Sequence, residues 1–393
     1  MNRFAAVSLP EMSHSASLVR DAGTAALPRL IAALGVLALA AGCATTPTTS
    51  NGPVLAPGVT GPGVTGPRVT GQMERGAVLA SLSLGADLEE RILALNPERI
   101  SEQDVRATLS KGPTPRIILL HGGIYPVHLI MTSFATFLER MGYPEEKLRD
   151  PIDGAYSQSP YSNSDRLAGE IAWFYEHDGV RPMMIGHSQG GVQAVKVLYE
   201  LEGAFGDKIA VWNPVADSAE NRTTITDPLT GNTRPVVGIS VAYVSVVGAG
   251  GAAFLLPNQW NMLHRLRTIP DSVEEFTAFI IPGDPIAWSF PGTPGASHYR
   301  HNGVAKVRNV TLPISYNHVT VPITSSLADD PQAREWINAY QPAGGDEEEL
   351  KAPSEVRGDN ILWAADVWFS IKKHWCLEAQ QLIRVKRAAL ATR

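Results

Sequence analysis

The sequence predicts an α/β fold in which a mostly parallel central sheet is flanked by helices and carries an inserted cap. Short apolar runs such as "IILL" and "MMIG" have the composition of strands that are buried on both faces. Segments with apolar residues at helical spacing separate these runs, which is the alternation that parallel crossover units produce. Of the 393 residues, 44% are hydrophobic and 18% are charged, so the chain can bury a sizeable core.

The charge and cysteine content exclude some classes of partner. The formal net charge is -6, and acidic and basic residues are mixed along the chain. We therefore expect no continuous basic surface and no nucleic-acid partner. The two cysteines, Cys43 and Cys376, are too few for a disulfide framework and have no metal-site spacing. No metal or other cofactor is expected, and Cys376 is predicted to be a buried free thiol.

The first 42 residues have the form of a secretory signal peptide. Arg20 and Arg29 precede the apolar run "LIAALGVLALAAG", and small residues lead up to Cys43. The apolar run is shorter than the ~20 residues that a membrane span needs. The ending "LAAGC" resembles the cleavage motif of bacterial lipoproteins, which implies that Cys43 is lipidated and becomes the new N-terminus. By the same resemblance, Ala44 implies a cell-envelope location at the outer membrane.

A low-complexity segment follows over residues 43–72. It is rich in threonine, glycine and proline and repeats the unit "GVTGP". Such a composition cannot bury enough apolar surface to offset its ordering entropy, so it predicts a tether between the anchor and a folded domain. That domain is predicted over residues 73–393.

The elements of the domain alternate in type along the chain. Two leading helices are expected before Gly112, followed by the strand "RIILLHGG", the helices "LIMTSFATFLERMGY" and "DRLAGEIAWFYEHDG", the strand "RPMMI" and the helix "VQAVKVLYELEGAFG". The run "KIAVWNPV" is predicted to be another buried strand. Residues 214–270 interrupt the alternation with a turn-rich segment and the uncharged stretch "VVGISVAYVSVVGAGGAAFLLP", which we interpret as a cap inserted over the sheet.

The alternation resumes after this interruption. The strands "FTAFIIPGDP" and "AKVRNVTLPI" precede the helix "PQAREWINAY". Residues 341–393 are predicted to form a C-terminal extension with an acidic loop, "GGDEEEL", and an amphipathic helix from about Asn360. Its tryptophans, Trp363, Trp368 and Trp375, are expected to pack in the core rather than to contact a membrane.

A candidate nucleophile lies at the strand-to-helix junction of "MMIGHSQGG". A serine hydroxyl is a poor nucleophile unless a base lies within hydrogen-bond reach and the side chain projects from its backbone. A tight turn achieves this projection, but it requires small flanking residues. Gly186 and Gly190 flank Ser188 in the pattern G-x-S-x-G, with a strand before and a helix after it.

Together with "HGG" after an earlier strand, this motif resembles the α/β-hydrolase family, in particular its lipases and esterases, over about residues 113–340. The resemblance implies a serine nucleophile at Ser188 and oxyanion donors at the amides of Gln189 and of Gly123 or Ile124. It also implies the chain order serine, acid, histidine.

The rest of the chain offers candidates for the acid and the base. Asp284 follows the strand "FTAFIIPG", and His318 follows the last predicted strand of the alternation. Asp217 is an alternative acid, and His298 and His301 are alternative bases in a polar loop. His187 and His121 are expected to pack or to hydrogen-bond locally.

The sequence therefore predicts a secreted, membrane-anchored serine hydrolase that cleaves carboxylic esters or lipids through an acyl-enzyme. Two alternatives remain open at this stage. One is an acyltransferase or thioesterase that uses the same three residues. The other is a non-catalytic surface lipoprotein that retains the fold as a binding module.

Overall fold

A computed structural model describes residues 84–123, 127–250, 257–287 and 298–391, apart from positions 352, 355 and 357. The predicted signal peptide, Cys43, the tether and Ile124 lie outside the described residues. All described residues belong to the second of the two compact units of the chain, which begins at Val64.

The helices and strands alternate along most of the described chain. The α-helices are α1 (Ala86–Ala94), α2 (Glu102–Ala107), α3 (Val127–Met141), α4 (Ser164–Asp178), α5 (Gln189–Glu202), α6 (Pro331–Ala339) and α7 (Ile361–Ala391). The strands are β1 (Ile117–Leu120), β2 (Met183–His187), β3 (Trp212–Asn213), β4 (Ser218–Ala219), β5 (Thr224–Thr226), β6 (Thr233–Pro235), β7 (Val241–Val247), β8 (Thr268–Ile269), β9 (Val273–Ile280), β10 (Arg300–His301), β11 (Lys306–Thr311) and β12 (Glu347–Glu349).

A six-stranded central sheet has the order β1-β2-β7-β9-β11-β12, and every neighbouring pair in it is parallel. The predicted α/β class is confirmed by this sheet and its flanking helices. Parallel strands all end at the same edge of a sheet, which is called the carboxyl edge below. The residues that directly follow β1, β2, β7, β9 and β11 therefore gather along one side of the molecule.

Helices cover both faces of the sheet. Strand β7 shows the division, because Tyr243 and Val247 point into one apolar core while Val244 and Val246 point into another. Helices α3, α6 and α7 pack in the first core, and α4 and α5 pack in the second. Burial on both faces explains why these strands are apolar throughout rather than alternating.

Helix α7 is an integral part of the first core. Its tryptophans Trp363, Trp368 and Trp375 are fully buried, as the sequence predicted. It also buries Asp366, whose carboxylate receives two hydrogen bonds from the guanidinium of Arg308 on β11. The predicted burial of the free thiol Cys376 is likewise confirmed, and burial raises its pKa to about 12.

The predicted cap at residues 214–270 is wrong at its centre. Residues 241–247 form β7, a strand in the interior of the central sheet between β2 and β9. An interior strand of a parallel sheet is apolar on both faces, so its composition did not differ from that expected of an apolar insertion. Two small antiparallel hairpins precede β7, one formed by β3 and β4 and the other by β5 and β6. Strands β3 and β5 contact α4.

Two further strand predictions need correction. The run "KIAVWNPV" does not enter the central sheet. Its backbone instead crosses α4 so closely that a Cβ at Gly169 would lie 2.3 Å from the Ala210 carbonyl oxygen. The predicted acidic loop instead contains β12, which extends the sheet at its edge beside β11. There Glu348 forms an ion pair with Arg308, which offsets the poor strand propensity of its sequence.

No helix among the described residues has both the length and the apolarity to cross a membrane, the 31-residue α7 included.

Candidate active site

Ser188 lies in the turn between β2 and α5, at the carboxyl edge. Its backbone has φ 54° and ψ -121°, a conformation that is strained for a residue with a side chain. The N–H of Ser188 donates to the carbonyl of Val247 on β7, at 2.8 Å. The turn is thus fixed to the neighbouring strand and projects the serine hydroxyl away from the sheet.

The glycines on either side of Ser188 are required by close backbone contacts. A Cβ at Gly186 would lie 2.6 Å from the Gly191 Cα, where the chain folds back on itself. A Cβ at Gly190 would lie 2.2 Å from the Leu120 carbonyl oxygen, at the end of β1. Both distances are shorter than any real contact of this kind, so the G-x-S-x-G pattern here follows from the geometry of the turn.

The imidazole of His318 lies beside the serine hydroxyl. His318 follows β11, and its Nε2 lies 2.9 Å from Ser188 Oγ. Its Nδ1 lies 2.5 Å from Oδ2 of Asp284, which follows β9. The carboxylate can only accept at this contact, so Nδ1 carries the proton and Nε2 is free to accept from the serine hydroxyl.

The carboxylate of Asp284 is held on both oxygens. Its Oδ1 accepts hydrogen bonds from the backbone N–H groups of Ile286 and Ala287, at 2.9 and 3.2 Å. Its Oδ2 is left for His318, and the side chain is 1% exposed. An ionised carboxylate with these donors is stable in a buried position, and it fixes the orientation of the imidazole.

Gly248 is a residue of this site that the sequence did not reveal. It follows β7 with φ +62°, and a Cβ at this position would lie 2.9 Å from His318 Nδ1 and 3.6 Å from Asp284 Oδ2. The absence of a side chain at Gly248 therefore leaves room for the pair. The only signal in the sequence was a glycine directly after an apolar run, inside the segment interpreted as a cap.

The alternative candidates lie apart from the serine. Asp217 is half exposed and forms an ion pair with Arg166 at 3.0 Å, and His301 is exposed. His298 contacts Glu347 on β12, at 3.2 Å. The structure thus brings Ser188, Asp284 and His318 together and leaves these three alternatives outside the cluster.

Two further histidines have local roles, as expected. His187, directly before the serine, donates from Nε2 to the carbonyl of His318 at 2.7 Å. Complete burial and the neighbouring His318 lower the pKa of His187 to about 3, so it stays neutral near pH 7. His121, after β1, donates from Nδ1 to the Gly122 carbonyl at 2.7 Å, and burial lowers its pKa as well.

The predicted amide donors lie next to the serine. Gln189 is the first residue of α5, and the first N–H groups of a helix have no acceptor within the helix. Gly123 lies against it, since a Cβ at Gly123 would be 3.5 Å from the Gln189 Cβ. The other predicted donor, Ile124, lies outside the described residues.

The described part of the chain contains no group of three or more His, Cys, Asp or Glu side chains that could hold a metal ion. The chemistry that this cluster can perform with its own groups is proton transfer from a serine hydroxyl to an imidazole. The positive end of the α5 dipole and the first amides of that helix lie at the same point and favour negative charge there.

Comparison with known protein families found none that matches this chain, and comparison with curated proteins found no significant match.

Proposed function

We propose that this chain is a serine hydrolase of the α/β-hydrolase family that cleaves carboxylic esters through an acyl-enzyme. The observation that carries the proposal is the hydrogen-bonded series from Ser188 Oγ through His318 to Asp284, with contacts of 2.9 and 2.5 Å. The chain order and the placement of each residue after a parallel strand at the carboxyl edge also support this family.

The first half of the reaction forms a covalent ester on the serine. Ser188 Oγ attacks the ester carbonyl while its proton passes to His318 Nε2. The resulting imidazolium is stabilised by the carboxylate of Asp284. When the tetrahedral intermediate collapses, the bond to the alcohol breaks, and the alcohol leaves with the proton from His318.

The second half releases the acid. A water molecule gives its proton to His318 Nε2 and attacks the acyl-enzyme carbonyl, and the proton then returns to Ser188 Oγ as the carboxylic acid departs. In both halves the developing oxyanion is stabilised by the amide of Gln189 and by the "HGG" loop after β1, at Gly123 or Ile124. These are the positions that the family resemblance implies.

The substrate class is proposed to be small esters or lipids with an apolar acyl group. Large apolar side chains are exposed on two of the connections that carry site residues. Ile314 and Val319 flank His318 on the connection after β11, and Leu129 lies in the first turn of α3, after the "HGG" loop. An apolar substrate would cover such side chains on binding.

A fluorophosphonate probe tests the catalytic proposal directly. We expect it to label the wild-type protein and to leave Ser188→Ala unlabelled, after both proteins have been shown to be folded. A panel of p-nitrophenyl esters from acetate to palmitate should show turnover that depends on Ser188. Absence of labelling in the folded wild-type protein would favour a binding module instead. Ester transfer to an added alcohol would indicate an acyltransferase.

The cellular location proposed from the sequence is the cell envelope, with attachment through a lipidated Cys43. Metabolic labelling with a fatty-acid analogue should mark the wild-type protein and not Cys43→Ser. Release of Cys43→Ser from the membrane fraction, with Cys376→Ser retained there, would identify the thiol that carries the lipid.

A further inference from the structure

The ring of His187 holds the backbone of His318. His187 is the last residue of β2 and directly precedes Ser188, and its Nε2 donates to the His318 carbonyl oxygen at 2.7 Å. The two rings also pack against each other, with their centroids 5.2 Å apart. Ser188 and His318 are therefore connected twice, once through Oγ and the imidazole and once through the residue before the serine.

The connection that carries His318 has no regular structure of its own. Residues 313–324 contain turns but no helix or strand, and exposed residues stand on either side of the buried His318. Hydrogen bonds within the connection, such as that from the N–H of Val321 to the Asn317 carbonyl at 3.1 Å, shape it locally. The bond from His187 differs because it joins this backbone to the central sheet.

His187 is a firm support because it belongs to the interior of the sheet. Strand β2 lies between β1 and β7, where His187 pairs with Val247. His187 is 1% exposed, and the N–H of the next residue, Ser188, donates to the Val247 carbonyl at 2.8 Å. A close-packed side chain on paired backbone has little room to move, so its ring sets the distance from the serine turn to the His318 carbonyl.

Burial keeps the ring of His187 in the form that this hydrogen bond requires. Burial and the neighbouring His318 lower its pKa to about 3, so the ring is neutral near pH 7. A neutral imidazole carries one proton and a carbonyl oxygen can only accept, so this proton lies on Nε2. The other nitrogen, Nδ1, is buried and has no hydrogen-bond partner among the described residues. The ring thus supplies one donor and no charge that would repel an imidazolium on His318.

We propose that His187 is a positioning residue for proton transfer, because it holds the backbone of His318 so that Nε2 stays within reach of Ser188 Oγ. It does not touch the reacting atoms in this role. A general base must lie within roughly 2.6–3.2 Å of the atom that gives up the proton, and the distance here is 2.9 Å. The inference rests on the proposed function, since it concerns the proton that passes from Ser188 to His318.

Two substitutions of His187 test the inference. Leucine removes the donor and keeps an apolar side chain, whereas glutamine keeps an N–H donor at about the position of Nε2. A misplacement of about 1 Å can cost about 100-fold, so His187→Leu should lower kcat by about 10-fold or more. His187→Gln should keep kcat within about three-fold. KM should stay within about two-fold in both variants, because the loss falls on the transition state.

The kinetics of fluorophosphonate labelling separate positioning from a loss of folded protein. The final amount of label counts the folded sites, whereas the rate constant reports attack by Ser188, which needs the same proton transfer to His318. In His187→Leu the rate constant should fall together with kcat. A smaller amount of label at the wild-type rate constant would indicate a structural role alone and overturn the inference.

The matched control is Gln380→Leu. Gln380 is buried on α7, and its Nε2 donates to the carbonyls of Ile92 and Leu95, at 3.0 and 2.9 Å. It lies roughly 28 Å along the helix axis from Ile361, where α7 begins. The variant also removes a buried side-chain donor from backbone carbonyls, so it should lose stability and keep the wild-type kcat. A loss of kcat equal to that of His187→Leu would contradict a specific role for His187.

A third substitution is available if His187→Leu does not fold. His187→Asn then takes its place, because the asparagine amide ends at about the position of Nδ1 and falls short of the His318 carbonyl. The same loss of kcat is expected. A folded His187→Gln protein that loses kcat by 10-fold or more in spite of its donor would also overturn the inference.

The outcomes distinguish the two proposals. Wild-type turnover that depends on Ser188, together with an unchanged kcat in folded His187→Leu or His187→Asn, overturns the role of His187 and leaves the proposed function standing. A folded wild-type protein without turnover or labelling of Ser188 overturns both.

Discussion

His318 and Asp284 follow neighbouring parallel strands, β11 and β9, and their side chains are joined by a 2.5 Å contact between Nδ1 and Oδ2. The other oxygen of Asp284 is occupied by two backbone amides. Oδ2 is therefore available for His318, and its contact with Nδ1 orients the imidazole so that Nε2 faces Ser188.

This pairing predicts a large effect of Asp284→Asn on activity. The amide can present N–H to Nδ1 and thereby favour the wrong tautomer of His318, so kcat for ester hydrolysis should fall by about 10⁴-fold. Asp217→Asn is the matched control, since it removes the carboxylate that pairs with Arg166 at the surface, and it should retain wild-type kcat. A stronger loss in Asp217→Asn than in Asp284→Asn would reassign the acid.

Gly248→Ala should lower activity by more than its effect on stability explains. The new methyl group would lie 2.9 Å from His318 Nδ1 and must displace the ring, so we expect kcat to fall by at least about 10-fold. Gly154→Ala is the control for backbone strain alone, because Gly154 has φ +72° and a Cβ there would meet no atom within 4 Å. The left-handed backbone conformation alone should cost about 1 kcal/mol of unfolding free energy in each variant. If Gly154→Ala loses the same activity, the steric explanation fails.

The buried His187 should make the protein sensitive to acid. Its pKa is about 3 in the folded state, below the ordinary value of about 6.5 for an unfolded chain. The contribution of His187 to the free energy of unfolding is therefore fully present above about pH 6.5 and is lost as the pH falls towards about 3. Between pH 7.5 and pH 5, this loss should amount to about 2 kcal/mol of unfolding free energy.

Urea unfolding of the wild type and of His187→Gln at pH 7.5 and pH 5 measures this contribution. Glutamine can still donate to the His318 carbonyl but does not titrate, so the variant should lose about 2 kcal/mol less than the wild type on acidification. Equal losses in both proteins would show that other groups cause the acid sensitivity.

The buried ion pair between Arg308 and Asp366 should be costly to break. Asp366→Asn removes the fully buried carboxylate that faces Arg308 and leaves the guanidinium with Glu348 alone, so the free energy of unfolding should fall by about 3 kcal/mol or more. Asp329→Asn removes a carboxylate from an exposed pair with Arg140 and should change it by about 0.5 kcal/mol or less. Chemical denaturation compares the two, and equal effects would contradict the burial of the first pair.

Sequence reasoning located the chemical groups of the site better than it located the strands. Ser188 could be found because a strained turn needs glycines at fixed positions, and Asp284 and His318 follow apolar runs. Strand β7 was misinterpreted because an interior strand has no polar face to mark its period. The role of Gly248 depends on two side chains that follow other strands, so no local pattern could show it.

The charged strand β12 and the run at 208–215 show a second limit of prediction from local sequence. Three consecutive glutamates at 347–349 have low strand propensity, and the ion pair of Glu348 with Arg308 on the neighbouring strand stabilises the edge position. The run at 208–215 has the composition of a strand, but Gly169 allows α4 to pack directly on its backbone. In both cases a contact distant in sequence overrides the local preference.

Helix α7 begins beside the loop that carries His318. Asn360, directly before the helix, donates from Nδ2 to the carbonyls of Thr320 and Ile323, and the N–H of Leu362 donates to Tyr316 Oη. An expression fragment that stops at residue 340 would therefore remove both the supports of the loop that carries His318 and the wall of one core. For protein production, the folded domain has to be taken through the end of α7.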